Sequence, residues 1–362
     1  MSVTAKLDES WYLGSLRVPN RVLLAPLAGI GNWFVRLQAK RYGAGMATSE
    51  MVSSHAIHHR NEKTCNEMLR IDPREREPDP PTPGAPPAPG GPVSIQLFGE
   101  DPAVMREAAA VVVVRGADVI DINMGCPVPK VRKTGAGAAL LDDPELALAV
   151  ARAAVEGARD AAGGRDRVPV TVKLRSGVRP GEDSGFELAH RLVAEAGVAA
   201  IGFHPRSAAV HHKGQPDYEL ATRLVQSLPA PVILTGGMDD ADSVREAFAA
   251  TGAAAVMLAR GALGNPWLFT ELLTPAACEP ARGPTRAQVL TELQWTLARA
   301  VEHLGEQRAT RYLRKFYPWY VPRLQLDAGA ARDLQESLQS APTLTQVHEL
   351  LDAACKPAAL AV

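Results

Sequence analysis

The run Ala117-Asp118-Val119-Ile120-Asp121-Ile122-Asn123-Met124-Gly125-Cys126-Pro127 is the point from which the rest of this chain can be read. Apolar residues at 117, 119, 120 and 122 predict a buried strand, and the pattern breaks at Gly125. Pro127 bars the strand from continuing, because it fixes φ and has no N–H. Cys126 is therefore presented at a strand's carboxyl end, on a loop that runs through Lys130, Arg132 and Lys133 to Gly135-Ala136-Gly137. A thiol on a turn beside cations suits proton transfer or nucleophilic attack. The other reading of Cys126 is a small buried hydrophobe.

Seven more short apolar runs flank this one, at residues 21–25, 46–49, 93–97, 170–174, 200–204, 232–235 and 255–259. Helical patterns separate nearly all of them: about 32–42, a helix opened by the Asp101-Pro102 cap, 144–162, 186–196 stopped by Gly197, and 240–250. Strands alternating with helices predict an α/β chain with a parallel sheet, and eight strands close a (β/α)8 TIM barrel. From Pro284 onward the pattern is helical only, over Arg286–His303, Arg308–Tyr317, Ala330–Ser340 and Thr345–Ala354. The expected organisation is a barrel domain over residues 1–275 and a C-terminal all-helical domain over 284–357, divided within the Pro/Gly-containing stretch 275–284. The proline-dense stretch 73–92 predicts an extended surface loop that adds nothing to the core.

Among the 362 residues 46% are hydrophobic and 22% charged, the composition of a globular protein with a full core. The net charge of −1 points to no partner, so a nucleic-acid reading must rest on local clusters. Four dispersed cysteines (Cys65, Cys126, Cys278, Cys355) form no C-x-x-C pair and predict neither a zinc site nor a disulfide framework. The charged N-terminus is unlike a signal peptide, and no apolar run reaches the ~20 residues of a membrane span. A cytoplasmic protein is expected.

In such barrels the reacting groups lie at the carboxyl ends of the strands. Those ends here are Pro26-Leu27-Ala28, Gln96, Asn123 with Cys126, Lys173 with Arg175, His204 with Arg206, Thr235-Gly236-Gly237, and Ala259-Arg260-Gly261. They are polar, cationic and poor in carboxylates, with no metal-ligand spacing. Glycine turns after the seventh and eighth strands stand where these barrels hold phosphate on backbone N–H groups, with Arg260 adding a cation; tight turns alone are the other reading. Lys173 ends an apolar strand and can place an ammonium in the barrel mouth, suited to the anion of a reduced flavin, or can snorkel to solvent. In the tail, Arg308, Arg311 and Arg314 recur at helical spacing among Tyr312, Phe316, Tyr317, Trp319 and Tyr320. That mixture fits RNA phosphates and bases, or a solvated basic face over an aromatic core.

These residues together resemble the bacterial tRNA-dihydrouridine synthase family from about Asn20 to Trp319. The resemblance rests on Pro26-Leu27-Ala28-Gly29, Ser49-Glu50-Met51-Val52, Gln96-Leu97-Phe98-Gly99, Asp121 to Pro127 with Lys130-Val131, Pro169 to Arg175, and Gly264-Asn265-Pro266-Trp267. It implies an FMN enzyme that reduces the uracil 5,6 double bond in the D-loop of tRNA, recharged by NADPH or NADH, and a monomer without metal. By similarity Cys126 donates the proton to C5, while Pro26, Leu27, Ala28, Gln96 and Lys173 hold the flavin ring. His204, Thr235, Gly236, Gly237, Ala259 and Arg260 take the phosphate side. Asn123, Arg175 and Arg206 serve the uridine side, and Arg308, Arg311 and Arg314 bind tRNA. The sequence departs from the family at Leu27, usually Met; at Thr235-Gly236-Gly237, usually Asn-Gly-Asp; at Ala259-Arg260, usually Gly-Arg; and at Arg314-Lys315-Phe316, usually Arg-Lys-His. An FMN dehydrogenase of a free pyrimidine, similar to dihydroorotate dehydrogenase, and a non-catalytic tRNA-binding relative are the alternatives.

Overall fold

The first element is absent from the sequence-based expectation. Trp11–Leu13 (β1) and Leu16–Val18 (β2) pair antiparallel around a two-residue Gly14-Ser15 turn, with Gly14 at φ +60°. Their buried side chains Trp11, Leu13 and Val18 pack with Leu23, Met46, Val119, Ala200, Ile233 and Ala255, which lie at or near the first residues of the barrel strands. The hairpin therefore plugs the amino-terminal mouth of the barrel.

The barrel itself consists of Val22–Leu24 (β3), Met46–Ser53 (β4), Val93–Phe98 (β5), Val119–Met124 (β6), Val170–Arg175 (β7), Ala200–His204 (β8), Val232–Thr235 (β9) and Ala255–Leu258 (β10). All pairings are parallel, and the strands close in the order β10-β3-β4-β5-β6-β7-β8-β9. The eight expected strands are these eight. The computed structural model describes residues 5–81, 88, 90–163, 168–274 and 283–355. Cys278, most of the expected interdomain stretch 275–284, the end of the expected helical domain at 356–357, and residues 82–87 and 89 of the proline-dense stretch lie outside the described residues.

Helices connect the strands. Trp33–Arg41 (α1) is capped by the Asn32 side chain, which accepts from the Phe34 and Val35 N–H groups. Between β8 and β9 an unexpected helix, Tyr218–Ser227, is capped by Asp217.

The proline-dense stretch departs from expectation at its start. Pro73–Glu75 forms a 3-10 turn with a capping box from Asp72, and Glu75 is fully buried against α1. Its carboxylate takes a two-pronged contact from Arg36, Nε to Oε2 at 2.8 Å and Nη2 to Oε1 at 2.9 Å. Lys40 Nζ donates to the Glu75 carbonyl at 2.9 Å and also to the Gly91 carbonyl. The spacing of prolines hid a buried ion pair, because composition cannot tell which single charged residue of a loop turns inward.

The chain divides into two compact units, Met1–Gly261 with Leu268–Thr274, and Ala262–Trp267 with Pro275–Val362. The second contains helices Arg286–Leu304, Glu306–Leu313, Tyr317–Tyr320, Ala328–Ser340 and Leu344–Cys355. Within it Phe316, Tyr317 and Tyr320 are buried, so much of the aromatic cluster is core. A Cβ at Gly264 would lie 2.7 Å from Trp319, which explains a glycine in Gly264-Asn265-Pro266-Trp267. Among the described residues, no helix is long and apolar enough to cross a membrane.

Candidate active site

The carboxyl ends of the barrel strands enclose a cavity of about 320 Å³. Its lining includes Pro26, Leu27, Ala28, Gln96, Asn123, Cys126, Lys173, Arg175, His204, Arg206, Thr235, Gly236, Gly237, Ala259 and Arg260. The barrel residues expected to hold flavin or uridine or to donate the proton are therefore gathered in one place, while Lys130, Arg132 and Lys133 do not line it. The three tail arginines belong to the other unit. There Arg308 and Arg311 are exposed, while Arg314 is half-buried and donates to the Ala341 carbonyl at 3.4 Å.

The floor is built by strand alternation. Register pairs Gln96 with Asp121, Asp121 with Thr171 and Asn123 with Lys173, and residues two apart on a strand share a face. Thr171 Oγ1 and Gln96 Nε2 each donate to the Asp121 carboxylate at 2.6 Å. Asn123 Nδ2 donates to Gln96 Oε1 at 2.9 Å, and Asn123 Oδ1 accepts from the Gly125 and Cys126 N–H groups at 3.2 and 2.9 Å. Cys126 is half-buried, and its carbonyl accepts from Ala138 N–H at 3.0 Å. A register shift between Thr48 and Met51 accompanies this floor. Ser49 Oγ accepts from Gln96 N–H at 3.0 Å, and Met51 Sδ comes 3.8 Å from Asn123 Nδ2. Bulges of this kind re-aim side chains beside a site.

Lys173 has no hydrogen-bond partner among the described residues. Burial lowers its pKa, the Arg175 charge adds to this, and Asp121 and Cys126 oppose it. Asp121 is pushed up by burial, against the hydrogen bonds from Thr171 and Gln96 and the Lys173 charge. The cavity cations that interact electrostatically with Cys126 are Lys173 and Arg175. Lys130, Arg132 and Lys133, which the sequence places nearest in chain order, are exposed.

Arg175 is buried and serves as a strut. Its Nε donates to the Gly125 carbonyl at 3.0 Å, and Nη1 donates to the Ser207 and His211 carbonyls at 3.0 and 2.8 Å. It thereby joins the cysteine loop to the loop after β8, which carries His211 at φ +54°. Arg206 Nη1 contacts His204 Nε2 at 3.3 Å and Nη2 donates to the Gly214 carbonyl at 2.7 Å, while its buried Nε has no partner. Burial holds the pKa of His204 far below the ordinary imidazole value, and Lys173, Arg175 and Arg206 push it the same way. His204 is thus neutral, and its Nε2 accepts from Arg206.

Gly236 and Gly237 have φ of +98° and +76°. A Cβ on Gly236 would sit 2.4 Å from His204 Nε2, and one on Gly237 2.5 Å from Pro216. Both positions therefore require glycine. Arg260, exposed at the rim, makes no side-chain hydrogen bond among the described residues. An orphaned guanidinium nitrogen, an unpartnered ammonium and a glycine cradle with a loose arginine fit a planar anionic cofactor with a phosphate. Sequence reading missed Asp121 and Thr171 as members of the floor, and His211, His212 and Asp239 as lining. A lone carboxylate in a strand of Val, Ile and Met was the available signal for Asp121. Among the described residues no three His, Cys, Asp or Glu gather as a metal site.

A family model described as dihydrouridine synthase matches residues 23–359. The chain is 30% identical over 344 residues to tRNA-dihydrouridine synthase B of Shewanella oneidensis, covering 94% of this chain and 97% of that protein. It is 35% identical over 350 residues to a probable tRNA-dihydrouridine synthase 1 of Synechocystis sp., covering 96% and 90%. Among solved structures, a 2-naphthoyl-CoA reductase shares the fold with a TM-score of 0.54 at 13% identity, over 74% of this chain and 52% of that one.

Proposed function

The chain belongs to the dihydrouridine synthase family, and from that premise we propose that it reduces the uracil 5,6 double bond of specific D-loop uridines in tRNA, using FMN and NADPH. When bound, FMN supplies the hydride that goes to uracil C6. Cys126 supplies the proton to C5, so that one hydride and one proton together saturate the bond. Lys173 and Gln96 hold the ring, with the backbone of Pro26, Leu27 and Ala28 along it. His204, the Thr235-Gly236-Gly237 turn, Ala259 and Arg260 take the phosphate side, where backbone N–H groups survive the side-chain departures from the family. Asn123 and Arg175 serve the base indirectly, by fixing the loop that carries the thiol, and Arg206 offers its unpartnered Nε. Arg308, Arg311 and Arg314 meet the RNA backbone. The protein acts as a cytoplasmic monomer, without metal.

The observation that carries this reading is a half-buried cysteine in the same cavity as an unpartnered lysine and a glycine cradle. A free-pyrimidine dehydrogenase would leave the basic helical tail without a role. The test incubates full-length protein with FMN, NADPH and unmodified tRNA transcripts, followed by nucleoside mass spectrometry. Dihydrouridine at defined positions is expected. Protein that binds FMN and oxidises NADPH yet leaves every transcript unchanged would refute the tRNA assignment, and reduction of orotate or uracil instead would favour the free-pyrimidine reading.

A further inference from the structure

One carboxylate in the barrel has no part in the reaction just described. Asp121 is 4% exposed, and neither it nor Thr171 lines the cavity. Yet Asp121 is the far end of an unbroken chain of side-chain hydrogen bonds that finishes on the backbone of the cysteine loop.

The direction of that chain is locked from both ends. The N–H groups of Gly125 and Cys126 can only donate, so Asn123 must face them with Oδ1 and turn Nδ2 to Gln96. Gln96 must then offer Oε1 to Asn123, which leaves Nε2 for the next partner. An ionised carboxylate can only accept, and Asp121 is that partner, with Thr171 Oγ1 donating to its other oxygen. A residue that could not accept at position 121 would leave the Gln96 amide without its anchor. Gln96 would be free to turn over, Asn123 would follow, and the loop amides would lose their acceptor.

We propose that Asp121 is a positioning residue for the proton donor: through Gln96 and Asn123 it fixes the amide orientations that hold the Gly125 and Cys126 backbone, and with it the Cys126 thiol. The competing role for Asp121 is that of counter-ion to Lys173. The two differ in what asparagine at this position does. In Asp121→Asn the amide oxygen still accepts from Gln96, and its NH2 donates to Thr171 Oγ1, whose own hydrogen turns to the Ile120 carbonyl 3.5 Å away. The hydrogen-bond chain survives while the charge is lost. Asp121→Leu removes both.

The inference rests on the tRNA reading only for the use to which the thiol is put, so its test is built on a measurement that needs no turnover. Amide hydrogen exchange is followed at Gly125 and Cys126 in the full-length protein, with and without FMN. Asp121→Leu should speed exchange at these two amides by about tenfold, with Asp121→Asn within about threefold of the wild type. Gln96→Met cuts the chain one link further on and carries the test if Asp121→Leu does not fold. Unchanged exchange in the cut variants, equal acceleration in Asp121→Asn, or acceleration spread evenly over all barrel strands would each overturn the positioning role. In single-turnover reduction of tRNA, Asp121→Asn should stay near the wild type and Asp121→Leu should fall with the exchange result. Wild-type protein that makes no dihydrouridine would sink the functional reading and leave the exchange result standing.

Discussion

Glu75→Gln should destabilise the protein by ~3–5 kcal/mol, the cost of removing one partner from a buried pair. Both Arg36 and Glu75 have side chains with 0% exposure, and the contact between them is two-pronged. Glu75 Oε1 also accepts from Asp72 N–H at 2.9 Å, so the carboxylate closes the turn that brings it inward. Glutamine keeps the size and can keep that cap, but it leaves Arg36 and Lys40 as two buried cations with no anion between them. Against a total stability of ~5–15 kcal/mol this is a large fraction. Urea unfolding measures it, provided the slope is unchanged between variants. The double variant Arg36→Met with Glu75→Leu should recover much of the loss, because an apolar pair has no charge to strand. A Glu75→Gln protein within ~1 kcal/mol of the wild type would show that water or rearrangement solvates Arg36, and the argument from burial would fail.

Cys126→Ser should retain FMN and NADPH-driven flavin reduction yet slow reduction of tRNA by ~10²-fold or more, since a hydroxyl is a far weaker acid; wild-type rates in single turnover would remove Cys126 from the proton-donor role. Alanine at Arg308, Arg311 and Arg314 should weaken tRNA binding and flatten its salt dependence while NADPH oxidation continues, and an unchanged slope in a salt titration would return that helix to a solvated surface. Lys40 is lowered from 10.5 to about 8, chiefly by burial, with Arg36 in the same sense and Glu75 opposing. Between those values the unfolded chain binds a proton that the folded protein does not, so stability should rise with pH across that window. Lys40→Met should abolish its share of the rise, which unfolding curves at pH 8, 9 and 10 would detect; identical pH slopes in the two proteins would contradict it.

The barrel was legible because its strands are short, apolar on both faces and regularly spaced with helices, and because strand ends define one face of such a barrel. That one inference gathered Gln96, Lys173, His204 and Gly236 before any contact was known. The Trp11–Val18 hairpin was not read, although its residues alternate about a Gly-Ser turn, because its strands are only three residues long and fall outside the eightfold count. Glu75 and Asp121 were not legible in their roles. Each is one acidic residue whose partner lies 25 to 50 positions away, as Gln96 and Thr171 do for Asp121 and Arg36 does for Glu75. Pairing at that distance depends on barrel register and loop path, which local periodicity does not carry. Arg175 shows the same limit in reverse: its position at a strand end pointed to the substrate, while its guanidinium is spent on three carbonyls that tie two loops together.

The electrostatics of the cavity give these placements a common direction. Lys173, Arg175, Arg206 and Arg260 all line it together with Asp239, while the buried Asp121 lies beneath the lining and opposes the lowering of Lys173. Burial pushes Lys173, Arg175 and Arg206 down, and neighbouring cations push Lys173, Arg206 and His204 further the same way. Among the described residues Lys173 and the Arg206 Nε have no hydrogen-bond partner, so both donors are available to an anion. An anionic cofactor held at the glycine turn, as proposed above, would oppose the pushes from neighbouring cations but not the push from burial. Preorganisation of this kind costs stability in the empty protein and returns it as affinity and as stabilisation of charge that develops during reaction. Affinity for a flavin ring held by Lys173 should then weaken as pH rises through the lowered Lys173 value, because the neutral amine attracts the ring's negative charge less.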